Sequence, residues 1–212
     1  MEERELAEIL TQLGAATLGE CGARRLPPRL RPAWSGAVLA APAYPVGCTP
    51  GDNLAVHVAV TRAPAGSALV VDVGDVHDRG YWGEVLTAAA LSRGLAGLVI
   101  DGGVRDVAAL ERLGFPAFSH RIVLPGASKN SRGTAGLPVH VAGVPVALGD
   151  WVVGDVDGVV VVPGAEIDEV IASGRARETA EQGYFRALRS GATTVDLLGL
   201  DESLIDSDGS SA

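Results

Sequence analysis

The chain has 212 residues, 47% of them hydrophobic, with 17 basic against 26 acidic side chains and a formal net charge of −9. That length holds one large domain or two small ones and buries enough surface for a core that needs no staples. A net negative chain with no basic run lacks the electrostatic footprint of a phosphate-backbone binder, so no nucleic-acid partner is expected.

The opening Met1-Glu2-Glu3-Arg4-Glu5 is acidic and polar, the wrong charge for the start of a signal peptide, and no apolar run reaches the length of a membrane span. A soluble cytoplasmic protein with no membrane partner is the expectation. Over residues 3–13, Leu6, Ile9, Leu10 and Leu13 fall at helical spacing, and Gly14 reads as the stop. Arg24 to Trp34 sets Pro27, Pro28 and Pro32 among arginines and reads as an extended surface segment. Gly36 to Gly47, with Pro42 and Pro45, predicts two short strands, and Thr49 to Asn53 predicts a turn into a helix from Leu54 to about Arg62, with Asp52 or Asn53 as N-cap. A strand over Ser67 to Val73, a helix over Gly83 to Arg93, a strand over Leu95 to Ile100, a short helix over Asp106 to Leu113 and a strand from Pro116 to Ser119 follow.

After a Gly-, Ser- and Asn-rich loop from Gly126 to Gly136, short strands are predicted at Val139 to Ala142, Val144 to Ala147, Trp151 to Val153 and Val159 to Val162. Ile167 to about Arg189 is the longest helical stretch, and Asp201 to Ala212 reads as a disordered acidic tail. The chain therefore parses as one domain over residues 1–198 with a tail over 199–212. Strands alternate with helices in the middle and cluster toward the end, which predicts an α/β fold with a mixed sheet flanked by helices, not a doubly wound parallel one. No GxGxxG follows a strand and no GxxxxGK[ST] occurs, so nucleotide folds of those kinds are unsupported. Cys21 and Cys48 form no CxxC or Cys/His cluster and read as free thiols.

The chemistry concentrates in Gly80-Tyr81-Trp82-Gly83-Glu84-Val85-Leu86 and Val99-Ile100-Asp101-Gly102-Gly103-Val104-Arg105-Asp106. A helix of about ten residues advances roughly 15 Å, and a returning strand of five or six residues covers a comparable distance, so both ends meet at one edge. Free N–H groups at Gly83 to Leu86 can hold an anion, and Arg105 can grip a carboxylate through two parallel hydrogen bonds. Asp106 can hold Mg²⁺ or Mn²⁺, which use one or two protein carboxylates and fill their shell with water and substrate oxygens. Glycines 102 and 103 fit a turn with close backbone approach. Each element also has a plain structural use: Asp106 as the N-cap of the next helix, Arg105 paired with a surface acid, Glu84 favouring a first helical turn.

Trp82-Gly83-Glu84-Val85-Leu86, Val99 to Asp106, Gly114-Phe115-Pro116-Ala117-Phe118, Gly149-Asp150 with Asp155 to Pro163, and Pro50-Gly51-Asp52-Asn53-Leu54 together resemble the RraA-like family, over roughly residues 5 to 185. That family includes 4-hydroxy-4-methyl-2-oxoglutarate/4-carboxy-4-hydroxy-2-oxoadipate aldolases and the regulator of ribonuclease E activity. The resemblance implies a swivelling β/β/α fold, a homotrimer or hexamer, and a class II aldolase that cleaves small 4-hydroxy-2-oxo acids to pyruvate and decarboxylates oxaloacetate. Carried over by position, Gly83, Glu84, Val85 and Leu86 would cradle the pyruvate carboxylate, Arg105 would bind the same moiety and its enolate oxygen, and Asp106 would be the metal ligand. Catalysis would fall to Glu84, Arg105 and Asp106, with Glu84 transferring a proton directly or through a water. Two positions depart from the aldolase pattern: Glu84 stands where those members carry Asp, and Ala109 where they carry an acid that supports the metal site.

A Schiff-base route would need a lysine nucleophile, and Lys129, in the polar loop, is the chain's only lysine. The alternative is a non-catalytic regulator of a ribonuclease that uses the same scaffold to bind a protein. His77 and Asp78 precede the Gly80 to Leu86 segment and could reach the site. His57, His120 and His140 lie far apart with no HxxxH or HxH pattern, and Trp34, Trp82 and Trp151 read as packing or interface aromatics.

Overall fold

The computed structural model describes residues 2–205. The chain divides into two compact units, Met1–Gly174 and Arg175–Ala212. The first unit is built from helix α1 (Glu3–Glu20), short strands β1 (Arg24–Arg25) and β2 (Arg31–Pro32), the long strand β3 (Leu39–Cys48), α2 (Leu54–Arg62), β4 (Ala68–Asp72), β5 (Gly80–Trp82), α3 (Glu84–Ser92), β6 (Gly97–Val104), α4 (Val107–Arg112) and β7 (Ala117–Ile122). Strands β8 (Gly133–Ala135), β9 (Val139–Val141), β10 (Val144–Val146), β11 (Trp151–Gly154) and β12 (Val159–Val162) follow, and then α5 (Ile167–Arg189) begins. In the second unit, α6 (Thr194–Leu198) opens on a capping box in which Thr193 and Asp196 bond each other's backbone N–H.

The sheet is mixed, as the alternation of elements predicts. Its order is β1-β12-β11-β3-β4-β6-β7-β2, with β5 on β6 and β8 on β3, while β9 and β10 form a separate hairpin. The β3-β4-β6-β7 run and the β5-β6 pair are parallel, and the remaining pairs are antiparallel. Three apolar clusters fill the unit. One lies between the parallel strands and α2, α3 and α4, a second on the opposite face around Leu30, Val70, Val99 and Phe118, and a third joins α1 and the start of α5 to β11 and β12.

Several sequence expectations are corrected. Gly14 kinks α1 (φ 73°, ψ 163°) without ending it. The Ala15 N–H freed by the kink donates to Asp155 Oδ2 at 2.7 Å, and buried Ala15 and Leu18 keep the second half packed. Gly36 to Gly47 yields one strand of ten residues instead of two. It survives two prolines because it pairs β11 over Leu39 to Pro42 and β4 over Ala43 to Gly47, so each half makes different partner bonds. The Arg24 to Trp34 segment contributes two edge strands and buries Leu26 and Leu30.

β6 runs through Gly102 and Gly103 instead of turning there. A Cβ on Gly102 would meet Val73 at 3.0 Å and one on Gly103 would meet the Arg79 carbonyl at 2.6 Å, so these glycines let the β4–β5 connection lie against the strand. Strands β5 and β8 were not predicted. The predicted tail falls partly on residues 206–212, outside those described, and begins with a short 3₁₀ turn at Glu202–Leu204.

Candidate functional site

Parallel strands β5 and β6 end side by side, with Arg105 N–H donating to the Trp82 carbonyl at 3.0 Å. Trp82 is locked in place. Its Nε1 donates to Thr87 Oγ1 at 2.7 Å, Thr87 donates on to the Gly83 carbonyl, and its ring stacks on Phe115 at 5.6 Å between centroids. The turn from Trp82 into α3 is thereby held against the turn from β6 into α4, which brings Gly83 to Leu86 together with Arg105 and Asp106.

Gly83 is the N-cap of α3 and has no side chain to cap it. The Asp106 carboxylate does so instead, its Oδ2 accepting from Glu84 N–H at 3.1 Å. Asp106 adopts the left-handed conformation (φ 56°) and makes no side-chain cap on α4, the helix it precedes. A non-glycine residue held there is a strained one of the sort that functional sites retain. Arg105 Nε lies 3.7 Å from Asp106 Oδ2, and the two side chains are 47% and 43% exposed. Glycine at position 83 permits this approach, since a Cβ there would sit 2.5 Å from Asp106 Oδ2 and 3.1 Å from Arg105 Cγ and push the carboxylate away. The first α-helical bond of α3 is Thr87 N–H to the Gly83 carbonyl, which leaves the N–H groups of Val85 and Leu86 free of helical partners.

These groups border a cavity of about 200 Å³ that Gly83, Val85, Leu86, Arg105 and Asp106 line. Glu84 is not part of that lining. Its Oε1 accepts from Arg112 Nη2 at 2.8 Å on the exposed surface, so the helix offers the cavity its backbone and turns its carboxylate away.

Asn53, His57 and Lys129 also line the cavity and were missed as site residues. Asn53 and His57 stand one helical turn apart at the start of α2, an i, i+4 pair on one face that was readable from the sequence. Asn53 Nδ2 donates to the Tyr81 carbonyl at 2.8 Å. Asn53 Oδ1 and His57 Nε2 are buried with no hydrogen-bond partner among the described residues. Burial, followed by the charge of Lys129, pulls the His57 pKa below the usual histidine value.

Lys129 reaches the site because Asp52 pins its loop. Asp52 is buried, and its carboxylate accepts from Leu54 N–H, Asn130 N–H, Ser128 Oγ and Ser131 N–H. Burial alone would raise this carboxyl, but the four bonds outweigh it and hold its pKa at about 2. Cys48 lies nearby, its thiol pushed up to about 12 by burial and then by Asp72 and Asp52.

Comparison with known proteins agrees with the resemblance. A family model described as "RraA-like: Aldolase/RraA" matches residues 7–161. A protein of Halalkalibacterium halodurans named "Putative 4-hydroxy-4-methyl-2-oxoglutarate aldolase" is 31% identical over 167 residues, covering 79% of this chain and 80% of its own. A protein of the same name from Albidiferax ferrireducens is 36% identical over 149 residues, covering 66% and 86%. Among solved structures, an uncharacterised Pseudomonas syringae protein superposes with a TM-score of 0.78 at 26% identity, covering 92% of this chain and 96% of its own. Streptomyces coelicolor RraAS2, described as an unusual member of the RNase ES inhibitor RraA protein family, gives 0.75 at 28% identity, covering 89% and 100%. No helix among the described residues is long and apolar enough to cross a membrane.

Proposed function

Because the chain belongs to the RraA-like family, we propose that it is a divalent-metal-dependent lyase that cleaves 4-hydroxy-2-oxo acids such as 4-hydroxy-4-methyl-2-oxoglutarate to pyruvate, and that it also decarboxylates oxaloacetate. The observation that carries this reading is the Asp106 carboxylate, tied to the first N–H of α3 beside the Arg105 guanidinium at the cavity wall.

The residues present fit a hard cation. Asp106 Oδ1 takes no hydrogen bond among the described residues, and a single half-exposed carboxylate suits Mg²⁺ or Mn²⁺, whose remaining positions are filled by water and substrate oxygens. Asp106 would hold the ion, and when bound it supplies Lewis-acid polarisation of the 2-oxo group. Arg105 would grip the pyruvate carboxylate and stabilise the oxygen on which enolate charge develops. The N–H groups of Val85 and Leu86 would complete the anion cradle, with Gly83 giving the carboxylate room. Lys129, across the cavity, would receive the second carboxylate of a dicarboxylic substrate. Glu84, whose carboxylate Arg112 holds outside the cavity lining, would reach the proton of the distal hydroxyl only through a water. We extend the reading to a cytoplasmic homotrimer or hexamer with a small 2-oxo acid as its partner.

A second reading, a protein-binding regulator of a ribonuclease, is favoured by the likeness to the Streptomyces coelicolor inhibitor-family protein. The two separate by assay. Pyruvate release from oxaloacetate and from 4-hydroxy-4-methyl-2-oxoglutarate is measured with Mg²⁺ or with chelator, for wild type and Asp106→Ala. Metal-dependent turnover that the variant loses is the expected result. A folded wild type inert on both acids would overturn this substrate assignment and leave a different 2-oxo acid or the regulator.

A further inference from the structure

A second cluster of chemistry-bearing side chains lies across the sheet from the cavity. Along β6, Leu98 and Ile100 enter the core beneath the helices while Val99 enters the one on the opposite face. Strand alternation sends Asp101 after Val99, and there it is 2% exposed. Arg29, between β1 and β2, donates Nε to Asp101 Oδ1 at 3.0 Å and Nη2 to Oδ2 at 2.8 Å. His77, in the connection before β5, holds Nδ1 2.6 Å from the Asp101 carbonyl. His120, from β7, holds Nδ1 3.4 Å from Asp101 Oδ1. The imidazole centroids are 4.7 Å apart, and one ligand atom from each of His77, Asp101 and His120 lies within 4.8 Å of the others.

Mutual pairing leaves this cluster incomplete. His120 Nδ1 is buried with no hydrogen-bond partner among the described residues. A carbonyl can only accept, so His77 Nδ1, which also lies 4.0 Å from Asp101 Oδ1, carries a hydrogen, and the ring's ligand atom would be Nε2. Arg29 takes one lone pair on each Asp101 oxygen, and a carboxylate has about four such sites, so Oδ1 retains one. The 3.4 Å between His120 Nδ1 and Asp101 Oδ1 matches the roughly 3.3–3.5 Å between neighbouring ligands on a tetrahedral ion with bonds of about 2.0–2.1 Å.

We propose that His77, Asp101 and His120 form a binding site for a divalent transition metal of the Zn²⁺ class, separate from Asp106, with Arg29 orienting the carboxylate. Two imidazoles and one carboxylate select such an ion over Mg²⁺, which prefers oxygen donors. His120 ligates through Nδ1. Its ring hydrogen moves to Nε2 as the exposed Arg121, now 3.2 Å from that nitrogen, swings away. The ion would tie the β4–β5 connection to β6 and β7, and the fourth position stays open to water.

The test titrates Zn²⁺ and Co²⁺ into the metal-stripped full chain, for wild type, Asp106→Ala, His77→Gln and His120→Gln, with unfolding temperature followed in parallel. Wild type and Asp106→Ala should each bind one equivalent, melt higher with metal, and give the intense visible bands of four-coordinate Co²⁺. Each histidine variant should lose about 100-fold or more in affinity. If His120→Gln fails to fold, the partly exposed His77→Gln decides alone, its metal-free melting serving as the fold control. Unchanged Zn²⁺ affinity in His77→Gln, loss of Zn²⁺ with Asp106→Ala, or six-coordinate Co²⁺ bands alone would overturn the proposal.

Discussion

Gly83→Ala is the smallest change that tests the candidate site. Gly83 has φ −168°, extended backbone open to any residue, so alanine brings no conformational strain and acts only through its Cβ. That carbon would arrive 2.5 Å from Asp106 Oδ2 and 3.3 Å from Arg105 Nε, and an ordinary carbon–oxygen contact requires the carboxylate to retreat by something approaching 1 Å. The 3.1 Å bond from Glu84 N–H to Oδ2 then breaks. A hydrogen bond to a charged group contributes about 1.5–3 kcal/mol, which the half-exposed position of Asp106 reduces to about 1 kcal/mol. Stability should therefore fall only slightly in a urea titration. Turnover should fall much further, by about 100-fold, since a misplacement of roughly 1 Å costs that much where groups must converge on a reacting centre. Pyruvate release with Mg²⁺ reads the rate, and hydrogen exchange at the Glu84 amide reads the broken bond. A variant with full turnover and an unchanged Glu84 amide would refute the reasoning.

Two further outcomes follow from neighbouring groups. The Asp52 carboxyl is held at about 2 while an unfolded aspartate titrates near ~3.9, so its contribution is present above about pH 4 and is lost as pH falls through about 2. Full linkage would be at most about 2.5 kcal/mol, and Asp52→Asn should flatten the acid limb of the stability profile by up to that amount. Glu84→Asp shortens the side chain that Arg112 holds at 2.8 Å. The exposed pair is worth at most about 1 kcal/mol, so stability should barely change while aldol cleavage rises relative to oxaloacetate decarboxylation. An unchanged ratio in both Glu84→Asp and Arg112→Ala would remove Glu84 from proton transfer.

What the sequence made legible was local and periodic. The spacing of α3 and β6 brought Gly83 to Leu86 onto Arg105 and Asp106, and the alternation of elements predicted the mixed sheet. What it hid depended on partners distant in the chain. Gly14 read as a stop because Asp155, which takes up the kinked backbone, lies 140 residues on. Gly102 and Gly103 read as a turn because their neighbours Val73, Tyr81 and Arg79 arrive from another connection. Glu84 pointed to the cavity until Arg112, one helix later, drew it outward. Lys129 sat in a loop with no periodic signal, and only the Asp52 bonds bring it to the wall of the cavity.

On the two proposed assignments, β6 would let two metal chemistries share one small scaffold. One strand delivers Asp101 to the face opposite the helices and, past its end, Asp106 to the helix side. The same residue type meets different company in each place. At Asp106 the neighbours are a backbone N–H and Arg105, so a cation there finds one carboxylate and open solvent, which suits an ion that keeps its waters. At Asp101 two partly buried imidazoles converge on a buried carboxylate, and the two nitrogen donors favour a softer ion. On those assignments donor type would sort the ions, and excess Mg²⁺ should leave Zn²⁺ at the histidine cluster undisturbed.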